Sequence, residues 1–139
     1  MKTITPYLLR FTLVILVLTF VFRYSLSYMI GQHSFSGIWL IAILYFFAMF
    51  SAGWYFGKKD GEYLPIYDVG FRFHFTTYLI FNGISELWFY LGFNSPNESI
   101  KIVHTTALIW GFFLLVHLFF YLRARKNSIN DLNKTDLFE

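Results

Sequence analysis

Two opposite charges inside apolar stretches are the residues of this sequence with the clearest chemical potential. Arg23 lies 13 residues after Arg10, and Glu86 lies 14 residues after Arg72. In helices, both charges would stand about 20 Å from the ends that Arg10 and Arg72 mark. Charges at such a depth in apolar segments are costly unless they are paired or functional. The matching depths predict an ion pair between Arg23 and Glu86, and a proton or ion site at Glu86 is the alternative.

Glu86 also belongs to a polar stripe. Polar residues recur at every fourth position around it, at Tyr78, Asn82, Glu86 and Tyr90. This spacing places them on one face of a helix. The stripe is typical either of a water-filled path or of hydrogen bonds between helices. His104 is expected near the depth of Glu86, where an imidazole beside a carboxylate could relay protons.

The four histidines are expected at two levels, with His33 and His104 near one end and His74 and His117 near the other. In this one respect the layout resembles four-helix membrane cytochromes of the b type, which hold each haem between histidines of two helices and transfer electrons. The resemblance implies these four histidines as ligands of haem b. Against it, His104 and His117 are separated by about 220° of helical rotation, so they face nearly opposite directions. We expect no cofactor, and haem b stays the alternative.

No motif points to a particular reaction. The chain has no cysteine, so disulfides, thiol catalysis and thiolate metal sites are excluded. No paired carboxylates and no Ser–His pair occur within one predicted span, and nucleotide-binding and zinc-protease motifs are absent. We therefore predict no catalytic residue, no metal site and no enzyme, with an intramembrane lipid enzyme using Glu86 and His104 left open.

The elements that position these residues are apolar helices. Of the 139 residues, 57% are hydrophobic and 14% are charged, whereas soluble domains average about 25% charged residues. Four stretches have the length of membrane spans, at about 7–30, 35–57, 71–93 and 101–122. The sequence predicts an all-α, polytopic membrane protein, with one four-helix transmembrane domain over 1–122 and a short tail over 123–139.

The basic residues predict the orientation of these spans. Four spans place both termini and the loop at 58–70 on one side of the membrane. That side carries nine basic residues against Lys101 on the other, with Arg23 inside a span. Since basic residues favour the cytoplasmic side, we expect both termini in the cytoplasm and a multi-pass protein of the cell membrane, which is the cytoplasmic membrane in a bacterium. The membrane edge explains these charges, so nucleic acid is not an expected partner.

Small residues indicate where helices approach one another. They occur at four-residue spacing as Gly53 with Gly57 and as Ala107 with Gly111. The pattern favours packing inside a four-helix bundle, and self-association through Gly53 and Gly57 is the alternative. The functional expectation is an oligomeric or accessory membrane module whose partners are the lipid bilayer and a second copy or another subunit. The alternatives are a channel or transporter for ions, protons or small solutes that uses Glu86, and a di-haem electron carrier.

Overall fold

The computed structural model describes residues 4–62 and 64–135, which form four α-helices without a strand in those ranges. They are α1 (Pro6–Gly31), α2 (Phe35–Asp60), α3 (Ile66–Tyr90) and α4 (Ile100–Thr135). The predicted all-α class is confirmed. The short connections between α1 and α2 and between α3 and α4 lie at the same end of the molecule, which we call the loop end. The opposite end, with the start of α1, is the terminal end.

Helix α1 has well-defined stops at both ends. Thr5 is its N-cap, where the hydroxyl accepts a hydrogen bond from the backbone N–H of Leu8 at 3.1 Å. At the other end, His33 adopts a left-handed conformation with φ of 54°. The N–H of His33 bonds to the carbonyl of Ile30 and that of Ser34 to the carbonyl of Met29. This is a Schellman motif, so His33 occupies a position where glycine is usual.

Helix α3 ends in the same kind of motif. Gly92 has φ of 74°, and the N–H of Phe93 bonds to the carbonyl of Trp88 at 3.0 Å. The rings of Trp88 and Phe93 lie 5.3 Å apart, which supplies the apolar contact of the motif. The helix therefore stops before residue 93, and it starts directly after Pro65, five residues earlier than the predicted span at 71–93.

Helix α4 is longer than its predicted span. Residues 123–135, assigned by the sequence to a tail, continue the helix, and residues 136–139 lie outside the described part. No glycine or proline interrupts this segment. Extending an existing helix needs no new nucleus, so a polar segment without breakers continues the preceding turns.

The helices do not form a closed bundle. Helix α1 packs against α2 and α3, α2 touches α3, and α4 packs against α3. Within the described residues, the α4 backbone does not closely approach α1 or α2. The predicted four-helix bundle is thus a cluster of three helices with α4 attached through α3 alone.

The buried face of α1 changes character along its length. It consists of Leu8, Phe11, Ile15, Thr19, Arg23 and Ser27. The first three join Val69 and Phe73 of α3 in an apolar core at the terminal end, where the rings of Phe11 and Phe73 lie 4.5 Å apart. The last three are polar and continue the same buried face toward the loop end. The core and the polar cluster therefore share one helix stripe with four-residue spacing.

Three of the described helices are long and apolar enough to cross a membrane, namely α1, α2 and the part Ile100–Asn127 of α4. Helix α3 falls short of this standard because Arg72, His74, Asn82 and Glu86 interrupt it. Large apolar side chains remain exposed all along α2 and α4, among them Trp39, Phe47, Leu108 and Phe119. Such contiguous exposure is unusual for a protein in water.

Candidate functional site

A buried ion pair at the loop end joins Arg23 to Glu98. The Arg23 guanidinium donates to a Glu98 carboxylate oxygen at 2.8 Å, and the two side chains are 5% and 4% exposed. The second carboxylate oxygen accepts from the backbone N–H of Ser95 at 3.0 Å. The guanidinium also lies 5.6 Å from the ring of Phe89. Both carboxylate oxygens are engaged, as a buried charge requires.

This pair corrects the predicted partnership of Arg23 with Glu86. The predicted match was one of depth along two helices, and depth does not determine which way a side chain points. Arg23 lies on the buried face of α1, whereas Glu86 is exposed and contacts α4. The loop between α3 and α4 folds inward at Ser95, which is itself buried, and brings Glu98 to Arg23.

Glu86 pairs instead with His104. Their carboxylate oxygen and Nε2 atoms lie 3.0 Å apart, and the side chains are 47% and 56% exposed. Both residues stand one turn from a helix end, Glu86 at the end of α3 and His104 at the start of α4. The predicted association of this histidine with Glu86 is present in the structure.

An open pocket of about 560 Å³ lies beside these groups. Its lining residues are Glu86, Phe89, Tyr90, Asn94, Glu98, Ser99 and Ile100. We call the two ion pairs and this pocket the loop-end site. The Glu98 carboxylate is paired with the buried Arg23, and the Glu86 carboxylate contacts the exposed His104. Chemically, the site is suited to hold a proton or a group that donates hydrogen bonds to Glu86.

Two of the three remaining members of the polar stripe, Tyr78 and Asn82, bond to backbone carbonyls. The Tyr78 hydroxyl donates to Ala107 at 3.3 Å, and the Asn82 amide donates to the carbonyl of Tyr78 at 2.8 Å. Tyr90 is exposed and lines the pocket. Tyr78 therefore joins α3 to α4, whereas Asn82 bonds within α3. Of the stripe, Glu86 and Tyr90 line the pocket.

Sequence reasoning missed several buried polar contacts of α1. Thr19 and the Tyr45 hydroxyl lie 2.9 Å apart, and the Trp88 indole N–H donates to Ser27 at 2.8 Å. A signal for them existed, because Thr19, Arg23 and Ser27 are spaced by four residues and share one helix face. The Nε of Arg23 and the hydroxyl of Ser85 are buried without a hydrogen-bond partner among the described residues.

His74 and His117 are in direct contact between α3 and α4. Their Nδ1 atoms lie 3.1 Å apart, and the Trp110 indole nitrogen lies 2.6 Å from Nε2 of His74. Indole is only a donor, so Nε2 of His74 must accept and its proton must sit on Nδ1. Nδ1 of His117 then accepts that proton's hydrogen bond, and the neutral His117 ring carries its own proton on Nε2. The three side chains form a directed chain from Trp110 through His74 to His117.

This arrangement does not fit the haem ligands implied by the cytochrome resemblance. An iron between two imidazoles needs its nitrogens about 4 Å apart, twice a typical metal–nitrogen bond, and both ring nitrogens of His74 are already used. At the loop end, His33 serves as the left-handed cap of α1, and His104 contacts Glu86. Within the described residues no three His, Asp or Glu side chains are grouped to hold a metal ion.

The four small residues singled out by the sequence lie at contacts inside the chain. A Cβ atom added to Gly53 would lie 4.0 Å from Phe11, and one added to Gly57 would lie 3.6 Å from Val69. At Gly111 the added atom would lie 3.2 Å from the Tyr78 hydroxyl, which bonds to the carbonyl of Ala107. The surface of α2 around Gly53 and Gly57 therefore faces α1 and α3.

In comparisons with known proteins, no family model, no curated protein and no solved structure matches the chain.

Proposed function

We propose that this chain is a small integral membrane protein whose four helices cross the bilayer, with both termini in the cytoplasm, and that it acts as an oligomeric or accessory module of a membrane assembly. The exposed apolar surfaces of α2 and α4 support insertion into lipid. Among the described helices, α3 is the one without a segment as apolar as the other three spans. It lies against all three other helices, which reduces its contact with lipid.

The observation that carries the assembly role is the isolation of α4. Among the described helices this one packs against α3 only, and the half-exposed Glu86–His104 pair lies where α3 and α4 meet. Lipid chains satisfy an exposed apolar helix, but they offer nothing to a carboxylate–imidazole pair. A second protein surface beside α4 would cover the apolar face and could bond to the polar pair. Since Gly53 and Gly57 face α1 and α3 of the same chain, α4 is the better candidate for the contact with a second protein.

Photo-crosslinking in membranes tests this role. Leu108, Phe112, Leu115 and Phe119 form an outward stripe of α4, and Leu114 is its buried counterpart. A photoreactive amino acid at Leu108 or Phe112 should yield a crosslinked product of defined mass, either a dimer of this chain or a complex with one other subunit. The same group at Leu114 should yield none. Products with lipid alone at all exposed positions would refute the assembly role.

Proton or cation transport is a second candidate, favoured by the Glu86–His104 contact in an open pocket. The lower stripe residues bond to backbone carbonyls, so a continuous path would need a second chain. In liposomes, transport by this site predicts a pH-dependent flux that Glu86→Gln abolishes. Glu62→Gln, an exposed acidic position in the loop between α2 and α3, serves as the control. Flux that is equal in wild type and Glu86→Gln would remove Glu86 from any transport mechanism.

A further inference from the structure

A second pocket lies at the terminal end, where the start of α1 meets the end of α2. It has a volume of about 350 Å³ and is lined by Thr5, Pro6, Tyr7, Arg10 and Asp60. It is separate from the loop-end site, since it lies at the opposite ends of α1 and α2. Its most distinctive residue is Asp60, the last residue of α2.

Asp60 is a buried carboxylate without a partner. The residue is fully buried, and neither carboxylate oxygen has a hydrogen-bond partner among the described residues. Burying such a group is costly unless donors compensate for the lost water. Because Asp60 lines the pocket, the compensating donor can come from a molecule bound there. A group with a positive charge and several N–H donors would suit it best, and a primary ammonium has both.

Arg10 supplies the opposite charge on the same pocket. Its guanidinium lies 5.9 Å from the centre of the Tyr7 ring, and it is not bonded to Asp60. The pocket therefore presents an acceptor for a cation and, at a separate point, a donor for an anion. Arginine is well suited to phosphate because its planar group donates two parallel hydrogen bonds. The two positions together match a zwitterion that carries an ammonium and a phosphate.

We propose that this pocket binds the phosphoethanolamine headgroup of a phospholipid, with the ammonium on Asp60 and the phosphate on Arg10. The source is lipid because helix ends of a membrane-spanning chain lie at headgroup level, so this assignment rests on the membrane insertion proposed above. Choline headgroups are disfavoured, since a trimethylammonium group has no N–H to donate to Asp60. Glycerol headgroups lack the positive charge.

Native mass spectrometry of the full chain in detergent tests the proposal with three lipids of identical acyl chains. Phosphatidylethanolamine should bind at least about tenfold more tightly than phosphatidylcholine or phosphatidylglycerol, as expected for one charge-assisted hydrogen bond. Asp60→Asn should abolish this preference, whereas Glu62→Gln, two residues further along the chain, should keep it. Equal binding of the three lipids, or an unchanged preference in Asp60→Asn, would overturn the proposal.

Two further arms separate the headgroup from other ligands of the same charge. Soluble phosphoethanolamine at high concentration should displace the lipid, and Arg10→Gln should weaken both, with Lys58→Gln as the control for general positive charge. If soluble phosphoethanolamine binds as tightly as the lipid, the ligand is the free molecule and the lipid source is wrong. If sodium, potassium or magnesium stabilises the protein through Asp60 and the lipid does not, the site is one for inorganic cations.

Thermal stability without lipid gives an independent readout. Asp60→Asn should raise the melting temperature, because it removes an unpaired buried charge while keeping the shape of the side chain. A lowered melting temperature in both Asp60→Asn and Arg10→Gln, with effects that are not additive, would show instead that the two residues stabilise each other. Membrane insertion of the same variants is measured by their resistance to alkaline extraction from membranes. A protein that is inserted but shows no lipid preference would contradict the headgroup proposal and leave the proposed function intact.

Discussion

Arg23 is the most deeply buried cation of the described chain, and its surroundings explain why it tolerates that position. The guanidinium meets a carboxylate and an aromatic ring, and that carboxylate is held by a backbone N–H of the loop. Removing one member of such a pair strands the other away from water. The pair therefore ties the loop at 94–99 to the part of α1 near the loop end, and the loop-end site depends on it.

A double-mutant cycle tests this pairing against the alternative in which Arg23 meets Glu86. Arg23→Ala and Glu98→Ala should each lower the free energy of unfolding by about 3–5 kcal/mol, and the double variant should lose much less than the sum. The matched cycle of Arg23→Ala with Glu86→Ala should be additive, because Glu86 contacts His104. Unfolding in mixed detergent, followed by circular dichroism, gives both couplings. Coupling to Glu86 instead of Glu98 would contradict the geometry of the loop.

The contact of Trp110 with His74 makes a prediction about a proton. Nε2 of His74 accepts from the indole, so nitrogen-15 spectra of histidine-labelled protein should show His74 as the Nδ1–H tautomer, which is the less common form in water. Trp110→Phe keeps an aromatic side chain and removes the donor, so this tautomer should lose its dominance, and the stability should fall by at least about 1 kcal/mol. An Nε2–H tautomer of His74 in the wild type would rule out the hydrogen-bond chain.

At the scale of helices, the attachment of α4 to α3 depends on a few side chains that reach across. Tyr78 bonds to the backbone of α4 beside Gly111, His74 contacts Trp110 and His117, and Glu86 contacts His104. These contacts recur along most of α3, which explains how α4 stays in place without approaching α1 or α2. The apolar core of Phe11, Ile15 and Phe73 holds the other three helices.

Gly111 is the position where this attachment is tightest. An added Cβ would lie 3.2 Å from the Tyr78 hydroxyl, so Gly111→Ala should cost about 1–3 kcal/mol of stability through overpacking. In a Tyr78→Phe background the hydroxyl is gone, and the same substitution should no longer destabilise the protein. Gly83→Ala is the control: its added Cβ meets no atom within 4 Å, so helix propensity should make it stabilising by about 0.5–1 kcal/mol. Equal effects at the two glycines, measured by thermal unfolding, would refute the close contact.

At the scale of the whole molecule, the two ends differ in their charge. The terminal end carries Arg10, Lys58, Lys59 and the basic residues Arg123, Arg125 and Lys126 of α4, whereas the loop end exposes Glu86 and a single lysine, Lys101. The positive end of such a protein is expected in the cytoplasm. The two pockets would then open on opposite membrane surfaces, the loop-end site outside and the Asp60 pocket inside.

The absence of cysteine makes this orientation directly testable, because any introduced cysteine is the only thiol. In intact cells, Asn97→Cys in the loop between α3 and α4 should react with a membrane-impermeant maleimide, and Glu62→Cys between α2 and α3 should react only after permeabilisation. Both positions are exposed in the structure. A buried control, Ile15→Cys, should stay unlabelled in both conditions. The reverse pattern would invert the proposed orientation, and labelling of both loops in intact cells would refute α3 and its neighbours as spans.

The sequence by itself determined the number of helices, their apolar character and most of their boundaries. These properties depend on local composition and on short connections such as 32–34, which end one helix and begin the next wherever they lie. Pro65 and Gly92 bound α3 in the same way, although its predicted range of 71–93 missed both of them. Even so, α4 runs past its predicted end, because nothing local interrupts it.

Only the tertiary structure decided which chemical groups meet. Depth along a helix follows from counting residues, and this placed Arg23 and Glu86 at similar levels and His104 near them. The partner of each charge depends on how the helices are rotated about their axes and how the loop at 94–99 folds, and both are set by contacts between residues far apart in the chain. For that reason Arg23 meets Glu98, His74 meets His117, and Asp60 lies buried beside a pocket at the terminal end.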